Sequence, residues 1–177
     1  MRESIGSDPE QSPAGLSSHT FTQIDPATFV ITGREGSVRY QKRFASVFQL
    51  KLDLDAETCH YKRMSHQIDS RSGHSASLVP NFARSSKPGP AVIIVGGRNA
   101  ENIDALPIKG FDVDDVTFDH NNPSMIAEAL STGRLKNRLK QVPFRLHAAV
   151  TLGPWVILHG GKGLINTFFE NLKLTSH

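Results

Sequence analysis

Three histidines stand directly before small residues: His19 before Thr20, His74 before Ser75-Ala76, and His147 before Ala148-Ala149. Downstream of each lies an apolar run ending in glycine. The runs are Phe29-Val30-Ile31 before Thr32-Gly33-Arg34, Val92 to Val95 before Gly96-Gly97-Arg98, and Trp155 to Leu158 before His159-Gly160-Gly161-Lys162. Three imidazoles could hold a metal, but ligands must converge on one ion, and residues at one repeat position are spread over successive units. A structural role, capping a turn or bonding a neighbouring backbone, is the expectation. The stretch His159-Gly160-Gly161-Lys162-Gly163 has the glycines of an oxyanion or phosphate loop. It lacks the four-residue spacer and the Ser or Thr after lysine, and no Gly-x-Ser-x-Gly elbow accompanies it. Asp53, Asp55 and Glu57 alternate like calcium ligands without the glycine or the terminal bidentate glutamate such a loop needs, so they predict a turn. Cys59 and His60 could be drawn as nucleophile and base, yet neighbours in a strand point to opposite faces. No catalytic residue, cofactor or metal is expected.

The spacing is more informative than the residue types. Gly33, Gly97 and Gly161 are 64 residues apart. His19 and His147 precede their glycines by 14 residues and His74 by 23, the excess being the loop-like insert Pro80 to Pro90. A period on this scale marks supersecondary units stacked on a shared core. In the first copy Thr32 takes the place of the leading glycine of Gly96-Gly97 and Gly160-Gly161.

Each unit must then be built of short strands. The first reads as His19 to Ile24, Phe29 to Thr32, Ala45 to Leu54 and Cys59 to Met64. Phe48, Leu50, Leu52 and Leu54 alternate with polar residues, as in a strand with one wet face. The second unit repeats the scheme with His74 to Val79, Ala91 to Val95, Ile108 to Val113 and Val116 to Phe118. The third has His147 to Thr151, Trp155 to Leu158 and Thr167 to Leu174. The second strand of each unit is apolar at consecutive positions, which predicts burial on both faces between stacked sheets. Residues 1–16, with Pro9 and Pro13 and few large apolar groups, predict a flexible leader. Met125 to Leu130 is the one helical pattern, inside an insertion at 121–144.

The chain has 177 residues and a formal charge of +3, much of the local excess lying in the basic run Arg134 to Lys140. No apolar stretch approaches the roughly 18 residues of a membrane span. No apolar core of a signal peptide lies in Met1 to Ser18. Cys59 is the single cysteine, which excludes an internal disulfide and favours a reducing, cytoplasmic setting.

These residues resemble kelch repeats, the modules of certain β-propellers. The likeness rests on Gly73-His74-Ser75-Ala76, Val92 to Gly97, the acidic turn Asp112 to Asp115, and Phe118 at the aromatic position. In the first unit Cys59 stands at that position with Tyr61 nearby. The fold class the resemblance implies is all-β: a partial kelch-type propeller, two four-stranded blades and most of a third at about 17–64, 71–120 and 145–177. A narrower likeness, through Ser18-His19-Thr20, Val30 to Arg34 and Val47 to Leu50, is to the kelch portion of wybutosine-synthesising tRNA methyltransferases. This sequence has no methyltransferase segment to match.

The function so implied is a non-catalytic protein-interaction scaffold, expected to be a fragment of a longer propeller; the alternative is an accessory segment of a tRNA-modifying enzyme. Propellers close with about 4 to 8 blades. Further blades, copies of the chain itself or an unidentified protein are therefore the expected partners, with nucleic acid less favoured and membrane not expected. Arg34, Arg98 and Lys162, each directly after a glycine, are the candidate contact residues at one rim.

Overall fold

The architecture is given by a computed structural model, which describes residues 2–3, 17–35, 43–82, 89–101, 103, 109–113, 144–153, 155–163 and 172–175. Thirteen strands lie among the described residues: β1 Arg2–Glu3, β2 Thr20–Gln23, β3 Thr28–Glu35, β4 Arg43–Asp53, β5 Thr58–Gln67, β6 Ser75–Phe82, β7 Gly89–Val95, β8 Lys109–Asp112, β9 Phe144–Arg145, β10 Ala148–Leu152, β11 Trp155–His159, β12 Lys162–Gly163 and β13 Leu172–Thr175. The first sheet runs β1-β5-β4-β3-β2, the second β6-β7-β8 and the third β10-β11-β13, while β9 and β12 form a two-stranded ribbon. Apart from β1, all pairs are antiparallel. Among the described residues the fold is all-β, built of antiparallel sheets, as a partial propeller requires. The Met125 to Leu130 helix, the Val116 to Phe118 strand and the basic run Arg134 to Lys140 lie outside the described residues.

Local chemistry sets each element. Asp53 Oδ1 accepts a 2.9 Å hydrogen bond from the Ala56 amide, so the acidic string forms the β4–β5 turn. Glu57, with φ +53°, completes it. Cys59 and Tyr61 pack on one face of β5 against Ile31, Phe48 and Leu50, while His60 between them is exposed. Within the segment expected as a flexible leader, Arg2 and Glu3 pair in parallel with Thr58 and Cys59. The outer strand of a blade presents unpaired backbone groups, and a two-residue strand suffices to bond some of them.

The core follows from β7. Its residues Ala91 to Val95 are all buried, and alternate side chains enter two different cores. Val92 and Ile94 pack with Val30, Val47, Met64, Ile68 and Phe111 of the first and second sheets. Ala91, Ile93 and Val95 pack with Val79, Phe82, Val156 and Leu158 of the second and third. A strand apolar at every position is therefore sandwiched between two neighbours, as its composition requires.

Register corrects the glycine alignment. Thr20 pairs with Thr32, Ser75 with Val95 and Ala148 with His159, so Thr32, Val95 and His159 are equivalent. Gly33 is thus the counterpart of Gly96 and Gly160, and these three share φ near +60° (+58°, +68°, +69°). Gly97 and Gly161, at +97° and +102°, are a second class. The first unit keeps the leading glycine and has Arg34 in place of the following one. The constant 64-residue interval pairs Gly33 with non-equivalent glycines because Thr20 and its partner Thr32 are 12 positions apart in the first unit, whereas Ala148 and His159 are 11 apart in the third.

Candidate functional site at the blade junctions

The residue before each histidine is left-handed: Ser18 at φ +53°, Gly73 at +64° and Leu146 at +57°. Only Gly73 is a type that adopts this conformation freely. These residues are bonded to one another across the blades, Gly73 N–H donating to Ser18 O at 3.1 Å and Leu146 N–H to Gly73 O at 2.8 Å. The backbone therefore runs a short ladder from unit to unit. That fixes where each inner strand starts.

The histidines reinforce the ladder. His74 Nε2 lies 3.0 Å from Thr20 Oγ1 and 3.1 Å from Thr32 Oγ1, and the two hydroxyls are 2.6 Å apart. His147 Nε2 lies 2.8 Å from Ser75 Oγ. Thr20 and Ser75 both directly follow their own unit's histidine, so one rule describes both junctions: the imidazole of a later unit bonds the first hydroxyl of the earlier one. His74 Nδ1 is buried without a hydrogen-bond partner among the described residues. A stranded lone pair costs less than a stranded N–H, which favours the tautomer with its proton on Nε2, directed at the threonines.

Burial decides the charge state. The His74 imidazole is pushed down to about 3, first by desolvation and then by the neighbouring Arg71 guanidinium. Desolvation pushes His147 down to about 4 and also lowers His19. All three are neutral at pH 7. Among the described residues no group of three His, Cys, Asp or Glu side chains could hold a metal ion.

Sequence reasoning missed Arg71. Its guanidinium is fully buried, donating to Gly96 O (3.2 Å), Asp69 O (3.3 Å) and Asp69 Oδ2 (3.2 Å). Asp69 Oδ2 also sits 3.6 Å from Lys109 Nζ. Desolvation lowers Arg71 to about 10, which leaves it charged. An arginine two residues from an aspartate in a polar stretch gives no sequence signal of burial.

At the rim, Arg98 and Ser72 exchange backbone bonds of 2.9 and 3.0 Å, and Lys162 pairs with Arg145 at the matching place in the third unit. Arg98 is half-buried and Lys162 exposed. By register the first-unit residue at this position is Glu35. Arg34 stands one position earlier, opposite Phe44.

A first prediction tests the junction rule. Ser75→Ala removes the hydroxyl facing His147 Nε2 and leaves a largely buried polar atom unpaired, so it is expected to cost about 1–2 kcal/mol in urea unfolding. Ser77→Ala, on the same face of β6 with no such bond among those described, is expected to cost well under half as much.

No family model matches the chain. Over 156 residues it is 33% identical to the mouse Kelch domain-containing protein 9, covering 86% of this chain and 43% of that protein. Over 154 residues it is 31% identical to the human Kelch domain-containing protein 9, with the same coverage. The chain thus spans less than half the length of these relatives. A chain in a cryo-EM structure of RAG in complex with one melted and one unmelted RSS superposes with a TM-score of 0.54. Its identity is 14%, over 92% of this chain and 52% of that one, so it speaks to fold alone. Strand order, paired glycines and sequence likeness agree: this is a kelch-repeat chain.

Proposed function

We propose that this kelch arc is a non-catalytic protein-interaction module that works in the cytoplasm and presents the loops after its buried strands to an acidic partner segment. The observation that carries the reading is the equivalence of Arg98 and Lys162. Both follow a glycine pair whose second member sits at φ near +100°, and both are tied by backbone bonding to the residue two before their unit's histidine. Loops held on a rigid scaffold are where binding residues concentrate. The lone Cys59 suits a reducing compartment. No helix among the described residues is long and apolar enough to cross a membrane.

The test is binding of a poly-glutamate peptide and of bulk tRNA to the full chain at several salt concentrations. Peptide binding that falls about tenfold in the Arg98→Ala, Lys162→Ala double variant supports the module. Peptide binding untouched by that variant rejects this rim. Retention of tRNA with a steep salt dependence would instead favour the accessory segment of a tRNA-modifying enzyme.

A further inference from the structure

The segment 69–72 follows the loop 96–100 of its own unit at several points. Ser70 Oγ accepts a 3.3 Å hydrogen bond from the Ala100 amide, Arg71 Nη1 donates to Gly96 O at 3.2 Å, and Ser72 exchanges the backbone bonds that hold Arg98. Arg71 is the member with a buried charge. Its side chain is 0% exposed, and its other nitrogens are held by Asp69 O and by Asp69 Oδ2, a carboxylate that is 43% exposed and shared with Lys109.

Burying a guanidinium carries a desolvation penalty that a neighbouring carboxylate offsets only in part, so stability alone is a poor account of this residue. Its contact with Gly96 suggests another. Gly96 and Gly97, at φ +68° and +97°, lack a Cβ, so the backbone leading to Arg98 has more conformational freedom to lose than its neighbours. A planar donor anchored on Asp69 restrains the first of these two glycines. The third unit supplies the contrast: Arg145 stands opposite Lys162 as Ser72 stands opposite Arg98, which makes Phe144, a residue with no side-chain donor, the counterpart of Arg71. Gly160 and Gly161 keep nearly the same φ values, +69° and +102°. The two loops share a backbone and differ in the clamp, and Arg98 is half-buried where Lys162 is exposed.

We propose that Arg71 is a positioning residue of the rim: its buried guanidinium clamps the Gly96 carbonyl and fixes the direction in which Arg98 is presented to an acidic partner segment, a role that rests on the interaction-module function. The clamp serves Arg98 and not Lys162. A loop ordered before binding has less freedom to lose on binding, so the clamp raises affinity.

Poly-glutamate binding to the full chain tests this through double-mutant cycles. Arg71→Met occupies similar space without the charge and should weaken peptide binding about threefold, as far as Arg98→Ala does alone. In the Arg98→Ala background it should weaken binding no further, whereas in the Lys162→Ala background the two losses should multiply. Arg71→Lys keeps a cation beside Asp69 but lacks the planar fork that bridges Asp69 and Gly96, so it should repeat both results and serves where the apolar variant does not fold. Losses that multiply in both backgrounds would mean that Arg71 acts on the fold as a whole, and would overturn the clamp. Loss of the fold in both Arg71 variants would overturn it too, assigning the guanidinium to stability. Binding unchanged in the Arg71 variants but weakened by Arg98→Ala leaves the module standing and removes the clamp. Binding indifferent to Arg98→Ala and Lys162→Ala together rejects the rim itself, and the clamp with it.

Discussion

Gly33→Ala is expected to lower the unfolding free energy by about 4 kcal/mol, while Gly160→Ala, at nearly the same backbone angle, is expected to cost only about 1 kcal/mol. The two glycines are equivalent in register, with φ of +58° and +69°, so the left-handed penalty on an L-residue is common to both. Their surroundings are not. A Cβ on Gly33 would lie 2.6 Å from the Arg71 carbonyl oxygen and 2.5 Å from His74 Cε1, whereas a Cβ on Gly160 meets nothing within 4 Å. The Arg71 carbonyl belongs to the backbone and cannot rotate aside. His74 is held at Nε2 by two threonine hydroxyls, so relief would break the first junction and strand a buried imidazole. Urea unfolding of the two variants beside wild type decides the matter. Equal losses would show that the close approach of Gly33 to the second unit has no energetic weight.

That contrast also shows what the sequence could and could not carry. The unbroken apolar run Val92 to Val95 predicted a strand buried on both faces, and the structure divides it between two cores. Hydrophobic pattern reports burial directly, because a strand's side chains alternate faces. Backbone angle is reported only by glycine. The left-handed turns at Ser18 and Leu146 were therefore silent, although they occupy the same place as Gly73 and carry the ladder between units. For the same reason the glycine spacing gave the repeat but misaligned its first copy. A one-residue shift changes which residues match, and only strand pairing reveals it. The histidine positions were legible as a repeat; their hydroxyl partners, 54 and 72 residues away in sequence, were not. Arg71 was invisible because two of its partners are carbonyl oxygens, which every residue has, and its carboxylate partner, Asp69, stands in an ordinary polar stretch.

Acid should open the same junctions, and the sign follows from the histidines. Unfolded, a histidine titrates near 6.5; folded, His74 is held down to about 3 and His147 to about 4, chiefly by desolvation. Both bind more protons in the unfolded chain whenever the pH lies between these values. Their contribution is fully present above pH 6.5 and is lost progressively as the pH falls towards 4 and then 3. At pH 5 the loss from His74 alone is about 2 kcal/mol, the 1.5 units below its unfolded value at roughly 1.4 kcal/mol each. His147, held down to about 4, adds a loss of similar size at pH 5, since that pH is still about one unit above its folded value. Arg71 beside His74 sharpens the effect, since a protonated imidazole there would face a buried guanidinium as well as its own desolvation. Urea midpoints measured from pH 7.5 to 4.5 should fall steadily below about 6.5. His147→Gln, which can still bond Ser75 through its amide but carries no titrating group, should shrink that fall while leaving the His74 share. Stability that stays flat between pH 7 and 5 would mean that neither imidazole is shut away from water between the blades. The hydroxyl contacts would then be too loose to set the register of one unit on the next.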